Sequence, residues 1–148
     1  MIYKKFVCTL PIIGQRLFTN SFLIKNNKIL LGLKNRNFGA GLYNGFGGKV
    51  EYNESILEAA QREFKEEAGI TMIDPVNIGV INFHDNSETR IVHIFRAEKY
   101  KGHITSSEEM SPRWFDINDI PFDNMHPDNK LWLNNIFQEK YFSINCEI

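Results

Sequence analysis

The stretch that decides the fold is Gly48-Lys49-Val50-Glu51-Tyr52-Asn53-Glu54-Ser55-Ile56-Leu57-Glu58-Ala59-Ala60-Gln61-Arg62-Glu63-Phe64-Lys65-Glu66-Glu67-Ala68-Gly69-Ile70. It reads as a loop that hands over to an amphipathic helix. Ser55, followed three residues later by Glu58, is a capping-box signature, and Gly69 is placed to end the helix in the left-handed conformation. On a wheel of about 100° per residue, Ile56, Leu57, Ala60, Phe64 and Ala68 share one face, which is expected to pack on a sheet. Glu63 and Glu67 lie one turn apart on the flank of that face, with Glu66 a little further round. Glu58, Gln61 and Lys65 point toward water.

The acids are the informative part. Three carboxylates this close repel each other, and two of them border the buried face, where desolvation worsens the repulsion. Hard divalent cations want oxygen ligands of this kind and also bind phosphates. An ordinary surface helix laced with pairs such as Glu58–Arg62 and Arg62–Glu66 is the plainer reading of the string alone. Just upstream, glycines at 39, 41, 45, 47 and 48 make half of the chain's 10 glycines fall within one short segment. Such a segment can be a set of tight turns, or a backbone that approaches phosphate oxygens closely with Gly47 and Gly48.

Working outward, Ser21-Phe22-Leu23-Ile24 and Ile29-Leu30-Leu31-Gly32-Leu33 flank Asn26-Asn27 and suggest a β-hairpin. Val76 to Phe83 and Arg90 to Ala97 are further strands around the turn Asp85-Asn86-Ser87, and Arg113-Trp114-Phe115 adds a short one. A second helix is expected from Pro127 to Tyr141, its apolar stripe of Leu131, Ile136, Phe137 and Tyr141 forming core rather than a docking face. Strands outnumber helices without regular alternation, which predicts an α+β (α/β) arrangement with helices on a mixed sheet.

The chain of 148 residues, 43% hydrophobic and 24% charged, suits a single domain over residues 1–148. Its formal net charge of -1 gives no general pull toward a nucleic-acid polymer or an anionic membrane. Lys4-Lys5 followed by Phe6 to Ile13 has the outline of a secretion signal. Pro11 and Gly14 interrupt it, and no small-residue cleavage site follows. Cys8 and Cys146 show no disulfide spacing and read as reduced thiols. The expectation is a cytoplasmic protein, a monomer or small homo-oligomer.

Gly48, Glu54, Arg62-Glu63-Phe64, Glu66-Glu67 and Gly69-Ile70 fill every fixed position of the Nudix box: glycine, five residues, glutamate, seven residues, then Arg-Glu-apolar-x-Glu-Glu-x-Gly-apolar. On these residues the chain resembles the Nudix hydrolase family. The resemblance implies an α/β/α sandwich around a mixed sheet and hydrolysis of nucleoside diphosphate derivatives with Mg2+, or Mn2+ in its place. It implies that Glu63, Glu66 and Glu67 hold the metal together with the Gly48 carbonyl, that one of these glutamates activates water, that Arg62 orients a glutamate, and that Glu54 supports the loop or an outer metal shell.

Outside the box, Leu30-Leu31-Gly32-Leu33-Lys34, Phe38-Gly39-Ala40-Gly41, Asn44 to Lys49, Glu109-Met110 with Trp114-Phe115, and Ile120-Pro121-Phe122 through Asp128 look like the branch of that family acting on oxidised purine nucleoside triphosphates. That branch converts 8-oxo-dGTP and 2-hydroxy-dATP to monophosphate and pyrophosphate. By this likeness Asn44 and Asp128 meet the purine edge, Phe38 lines the base pocket, and Thr19 and Lys34 sit near sugar and base. Glu109 becomes a further metal ligand or base. Each has a plainer role: Asn44 in a turn, Phe38 in the core, Asp128 as a first-turn acid beside Pro127. Where that branch has a stacking tryptophan and a second aspartate, this chain has His126 and Asn129. His126 offers less stacking surface and a charge near neutrality that depends on pH. Asn129 always carries one donor and one acceptor group, which shifts or narrows the accepted bases. Alternatives are a Nudix enzyme acting on ADP-ribose, dinucleoside polyphosphates or capped RNA, and a non-catalytic nucleotide-binding domain. The latter would be expected to have lost box glutamates, and none is missing.

Overall fold

The structure, a computed structural model, describes residues 14 to 147; the lysine-led start and Cys8 lie outside them. Strands β1 (Gln15–Lys25) and β2 (Lys28–Lys34) form the expected hairpin. Asn26 and Asn27 both adopt left-handed backbone, at φ 52° and 63°, as a two-residue turn matching strand twist requires. The two strands pair only beside that turn, at Ile24–Ile29 and Lys25–Lys28. Beyond it β1 takes residues of the glycine-rich loop instead, Phe18 opposite Lys49 and Ser21 opposite Phe46.

The loop passes through the short β3 (Tyr43–Asn44) and leads into helix α1 (Ile56–Ala68). Both arms of the Ser55–Glu58 capping box are formed, and Gly69 closes the helix at φ 78°. Then follow β4 (Ile70–Ile73), β5 (Val76–His84), β6 (Thr89–Ala97), β7 (Lys99–Gly102), β8 (Met110–Asp116), the four-residue helix α2 (Asn129–Trp132) and β9 (Phe142–Glu147). The main sheet is mixed and seven-stranded, in the order β3-β2-β1-β6-β5-β9 with β8 also on β2; β4 and β7 make a separate pair. β1 runs parallel to β6 and β5 parallel to β9, while β5 and β6 are antiparallel.

Alternation along the strands builds one core on each face of the sheet. Leu23, Leu30 and Phe95 meet Ala60, Phe64 and Ala68 of α1, whereas Phe22, Ile29, Leu31 and Ile94 meet Trp132, Leu133 and Ile136. This is the expected sandwich, with one thick and one thin helical layer.

Four expectations are corrected. The segment from Pro127 to Tyr141 is not one helix: α2 ends after Trp132, a 3-10 turn covers Leu133–Phe137, and β9 begins at Phe142. Side chains compete for its backbone there. The Asn135 amide donates to the Trp132 carbonyl, and Arg96 takes the Ile136 carbonyl at 2.7 Å. On α1, Leu57 is exposed and Ala59 takes a buried place. Gln61 does not face water; its amide donates to the Met72 carbonyl and accepts from the Met72 N–H, both at 2.9 Å, serving β4 as a peptide group would. The strand expected at 113–115 extends over all of β8, paired along the length of β2.

Candidate active site

The glycine-rich loop is clamped between β1 and α1. Phe46 stacks on Phe64 of the helix at 4.5 Å, and the Gly48 carbonyl accepts from the Thr19 N–H at 2.9 Å. Gly47 lies so close to β1 that a Cβ would collide with the Thr19 carbonyl. At Gly48 a Cβ would sit 2.6 Å from Glu63 Oε1, so this glycine makes room for a carboxylate rather than for backbone.

The box side chains divide their tasks. Arg62 grips Glu54 with two hydrogen bonds, 2.6 Å from Nε to Oε1 and 3.1 Å from Nη2 to Oε2, and donates to the Lys49 carbonyl. Its Nη1 reaches Glu63 at 2.9 Å and Glu66 at 3.4 Å. Glu54 in turn accepts from the Glu51 N–H, so the arginine and this acid hold the loop on the helix. The Arg62 hydrogen bonds draw Glu54 below the usual carboxylate range against the opposing effect of burial.

Glu63 and Glu67 behave oppositely to Glu54. Burial raises Glu63, and the Arg62 contact offsets only part of that. Glu67 is buried, accepts from the Gly47 N–H at 2.8 Å, and is pushed up to about 8 by burial and then by repulsion from Glu63 and Glu109. Glu66 points outward, with 58% of its side chain exposed. Glu109 is engaged by two cations, Lys34 at 3.2 Å and Arg36 at 2.7 Å, which hold it below its usual range.

As they stand, these acids do not converge: among the described residues no three His, Cys, Asp or Glu side chains are gathered for a metal. The donor chemistry nevertheless fits a hard divalent cation. Glu63, Glu66 and Glu67 offer only oxygen, Gly48 keeps one carbonyl lone pair, and Glu67 is a desolvated carboxylate pushed up by its acidic neighbours, the strain a cation relieves.

Beyond Glu67, Gly47 and Gly48 opens a cavity of about 500 Å³ lined also by Thr19, Lys34, Phe38, Asn44, His126, Asp128 and Asn129. All the base-side residues expected from the sequence thus border one space. Phe38, 82% exposed, is not core; it stacks on His126 at 5.5 Å with planes 17° apart. Asp128 accepts from the Trp132 indole N–H at 2.8 Å and makes no capping bond, so the first-turn role does not describe it. Asn129 is buried, its amide donating to the His126 carbonyl at 3.0 Å. The Thr19 hydroxyl is buried without a partner among the described residues.

Sequence reading missed the far wall, made by Phe18, Asn20, Ile81, Phe83, Arg90 and Val92. Alternation puts Ile81 and Phe83 on one face of β5, and Arg90 and Val92 on one face of β6. Only the pairing of Phe18 with Val92 across β1 and β6 brings these faces to the cavity, and no local signal carries that. Arg90 lies over the Phe83 ring at 5.7 Å.

The NUDIX domain family model matches residues 19–136. An oxidized purine nucleoside triphosphate hydrolase of Danio rerio is 46% identical over 130 residues, covering 86% of this chain and 83% of the relative. Its Mus musculus counterpart is 42% identical over the same shares. In fold, the chain is similar to the crystal structure of a MutT NUDIX hydrolase from Burkholderia pseudomallei, with a TM-score of 0.74 and 24% identity over 82% of this chain and 98% of that one. The box, the sandwich and these matches agree, and the chain belongs to the NUDIX domain family.

Proposed function

We propose that this protein hydrolyses oxidised purine nucleoside triphosphates, 8-oxo-dGTP among them, to monophosphate and pyrophosphate, with Mg2+ as working cation and Mn2+ as a substitute. The observation that carries the reading is one cavity with a buried carboxylate and glycine backbone at one end and aromatic and amide walls at the other. A nucleotide is a molecule of that polarity. The two vertebrate relatives named for this activity support the substrate class.

Glu63, Glu66, Glu67 and the Gly48 carbonyl would hold the cation, which when bound neutralises phosphate oxygens and lowers the pKa of water. Glu67 is assigned as the proton acceptor for the attacking water. Its Oε1 is fixed by the Gly47 N–H, which leaves Oε2 for the water. Arg62 touches no substrate; it sets Glu63 in place and ties the loop to the helix through Glu54. Lys34, opposite Glu109, supplies positive charge beside the phosphate end. Phe38 and His126 offer their faces to the base, and Asn44 and Asp128 meet its edge. Glu109 remains available as a further ligand only by giving up its two cationic partners.

In this reading the chain works as a single domain in the cytoplasm, where the free, buried Cys146 stays reduced. It acts on a nucleotide rather than a nucleic-acid polymer, as a monomer or small homo-oligomer. The test compares hydrolysis of 8-oxo-dGTP and dGTP with Mg2+ by the wild type and Glu67→Gln. Preference for the oxidised nucleotide, lost with the glutamate, is expected. Activity that needs Glu67 without that preference would redirect the substrate to another nucleoside diphosphate derivative. Attack at the β-phosphorus is expected, so reaction in heavy-oxygen water labels the pyrophosphate; label in the monophosphate overturns that step.

A further inference from the structure

The amide of Asn44 is fixed from two sides. Its Oδ1 accepts from the Gly45 N–H at 2.8 Å and from Asn20 Nδ2 at 3.1 Å. A backbone N–H can only donate, so the atom facing it must be the amide oxygen. The orientation of Asn44 follows, and with it that of Asn20, whose donor end must face Asn44. Asn20 is held in this place on β1, 91% of its surface buried, because Gly45 has no side chain; a Cβ there would collide with Asn20 Oδ1. The Asn44 side chain therefore has only its N–H groups left to offer the cavity.

Asp128 is fixed by the same logic. The Trp132 indole N–H, which cannot accept, occupies Oδ2, so Oδ1 remains as an acceptor. Asn129 donates to the His126 carbonyl, and its own Oδ1 stays buried and without a partner among the described residues. The amide and carboxylate that border the cavity thus present donors at Asn44 and acceptors from Asp128 onward.

We propose that Asn20 is a positioning residue for base specificity: by taking the lone pair of Asn44 Oδ1 that the Gly45 N–H leaves open, it leaves Asn44 only donors and makes the cavity select purines with a guanine-type edge over those with an adenine-type edge. The proposal rests on reading the cavity as a purine nucleotide site. A guanine-type base carries one acceptor, the C6 carbonyl, beside two donors, N1–H and the 2-amino group. That run complements a donor at Asn44 next to acceptors at Asp128. An adenine-type base offers one donor and one acceptor along the same edge, one hydrogen bond fewer. Without Asn20, the Gly45 N–H still holds Asn44 Oδ1, but that oxygen regains a free lone pair that can accept from an adenine amino group.

The test uses 8-oxo-dGMP and 8-oxo-dAMP, which differ only in that edge, with binding read by calorimetry and kcat/KM read on the corresponding triphosphates. The wild type should bind the guanine compound about five- to tenfold more tightly, the worth of one hydrogen bond. Asn20→Leu removes the donor. Asn20→Asp keeps the shape but sets an acceptor against Asn44 Oδ1. Both should bring the ratio toward one through Kd and KM of the guanine compound, with kcat nearly unchanged. A merely structural Asn20 would weaken both compounds alike, which overturns the proposal. A wild-type ratio near one overturns it without any variant, and so does a wild type that binds neither monophosphate. If the ratio holds but neither triphosphate is hydrolysed, the hydrolytic reading fails and the specificity role stands.

Discussion

The two ends of the cavity are built in different ways. The carboxylate end comes from one continuous stretch, Phe46 to Glu67, whose loop and helix are locked by local contacts: the Ser55–Glu58 capping box, the Arg62–Glu54 pair and the Phe46–Phe64 stack. The base end takes Asn20 from β1, Asn44 from β3, Arg90 from β6, and His126, Asp128 and Asn129 from the entry to α2. Charge that resists burial concentrates at the first end, whereas hydrogen-bond direction and aromatic surface concentrate at the second. Chemistry should therefore fail abruptly when the first is touched, and selectivity should drift when the second is.

The largest effect is expected at Glu67. Glu67→Gln should lower kcat by about 10²- to 10⁴-fold, the usual weight of a positioned proton acceptor. The same change should stabilise the cation-free protein. Glu67 is raised from 4.5 to about 8 in the fold, so between those pH values the folded state binds more protons than the unfolded chain. Stability then falls as pH rises through that window, and is restored at the acid end. Thermal unfolding without divalent cations should show this slope in the wild type and lose most of it in Glu67→Gln, where the raised Glu63 still contributes, with a gain on the order of a few kcal/mol near pH 8. Added Mg2+ should raise the wild-type melting temperature more at pH 8 than at pH 5. A wild type whose stability is flat across the window would mean that Glu67 is not charged against its surroundings.

Gly47 and Gly48 sharpen the contrast within the carboxylate end. A methyl at Gly48 meets the end of the Glu63 side chain, which can swing away, so Gly48→Ala should cost about 10- to 100-fold in activity, as loss of ligand positioning does, with little change in melting temperature. A methyl at Gly47 meets the Thr19 backbone, which cannot move. Gly47→Ala should cost about 1–3 kcal/mol of stability, as overpacking does. Equal stability losses in both variants would show that Glu63 is as immobile as the strand.

This division also explains what could be read from the sequence. The box helix, its caps, the Asn26-Asn27 turn and the strands over 76–83 and 90–97 rest on local chemistry, and the fold repeats them almost to the residue. The second helix failed because Asn135 and Arg96, one local and one distant in sequence, claim the backbone that it needed. β9 was invisible because its parallel partner, β5, lies some sixty positions upstream, from Gly79 opposite Phe142 to His84 opposite Glu147. In the site, Glu63, Glu66 and Glu67 were legible from spacing on one helix. Asn20 and Arg90 were not, since each acquires meaning only from a neighbour on another strand. The charge on Glu109 was legible, but its capture by Lys34 and Arg36 was not.

The smallest effect tests the base end by itself. Phe38 is 82% exposed yet holds its ring flat against His126, so it contributes little to folding and its face is available for a base. Stacking on an aromatic side chain is worth about 1–3 kcal/mol per base, and a ring this open to solvent belongs at the low end. Phe38→Ala should raise KM for 8-oxo-dGTP about fivefold and leave the melting temperature in place. Because the base binds alike before and during bond cleavage, kcat should not move. His126→Trp should act in the opposite sense, lowering KM by offering a larger face. If Phe38→Ala instead lowers kcat at constant KM, the ring acts on the phosphate end, and the separation between the two ends of the cavity breaks down.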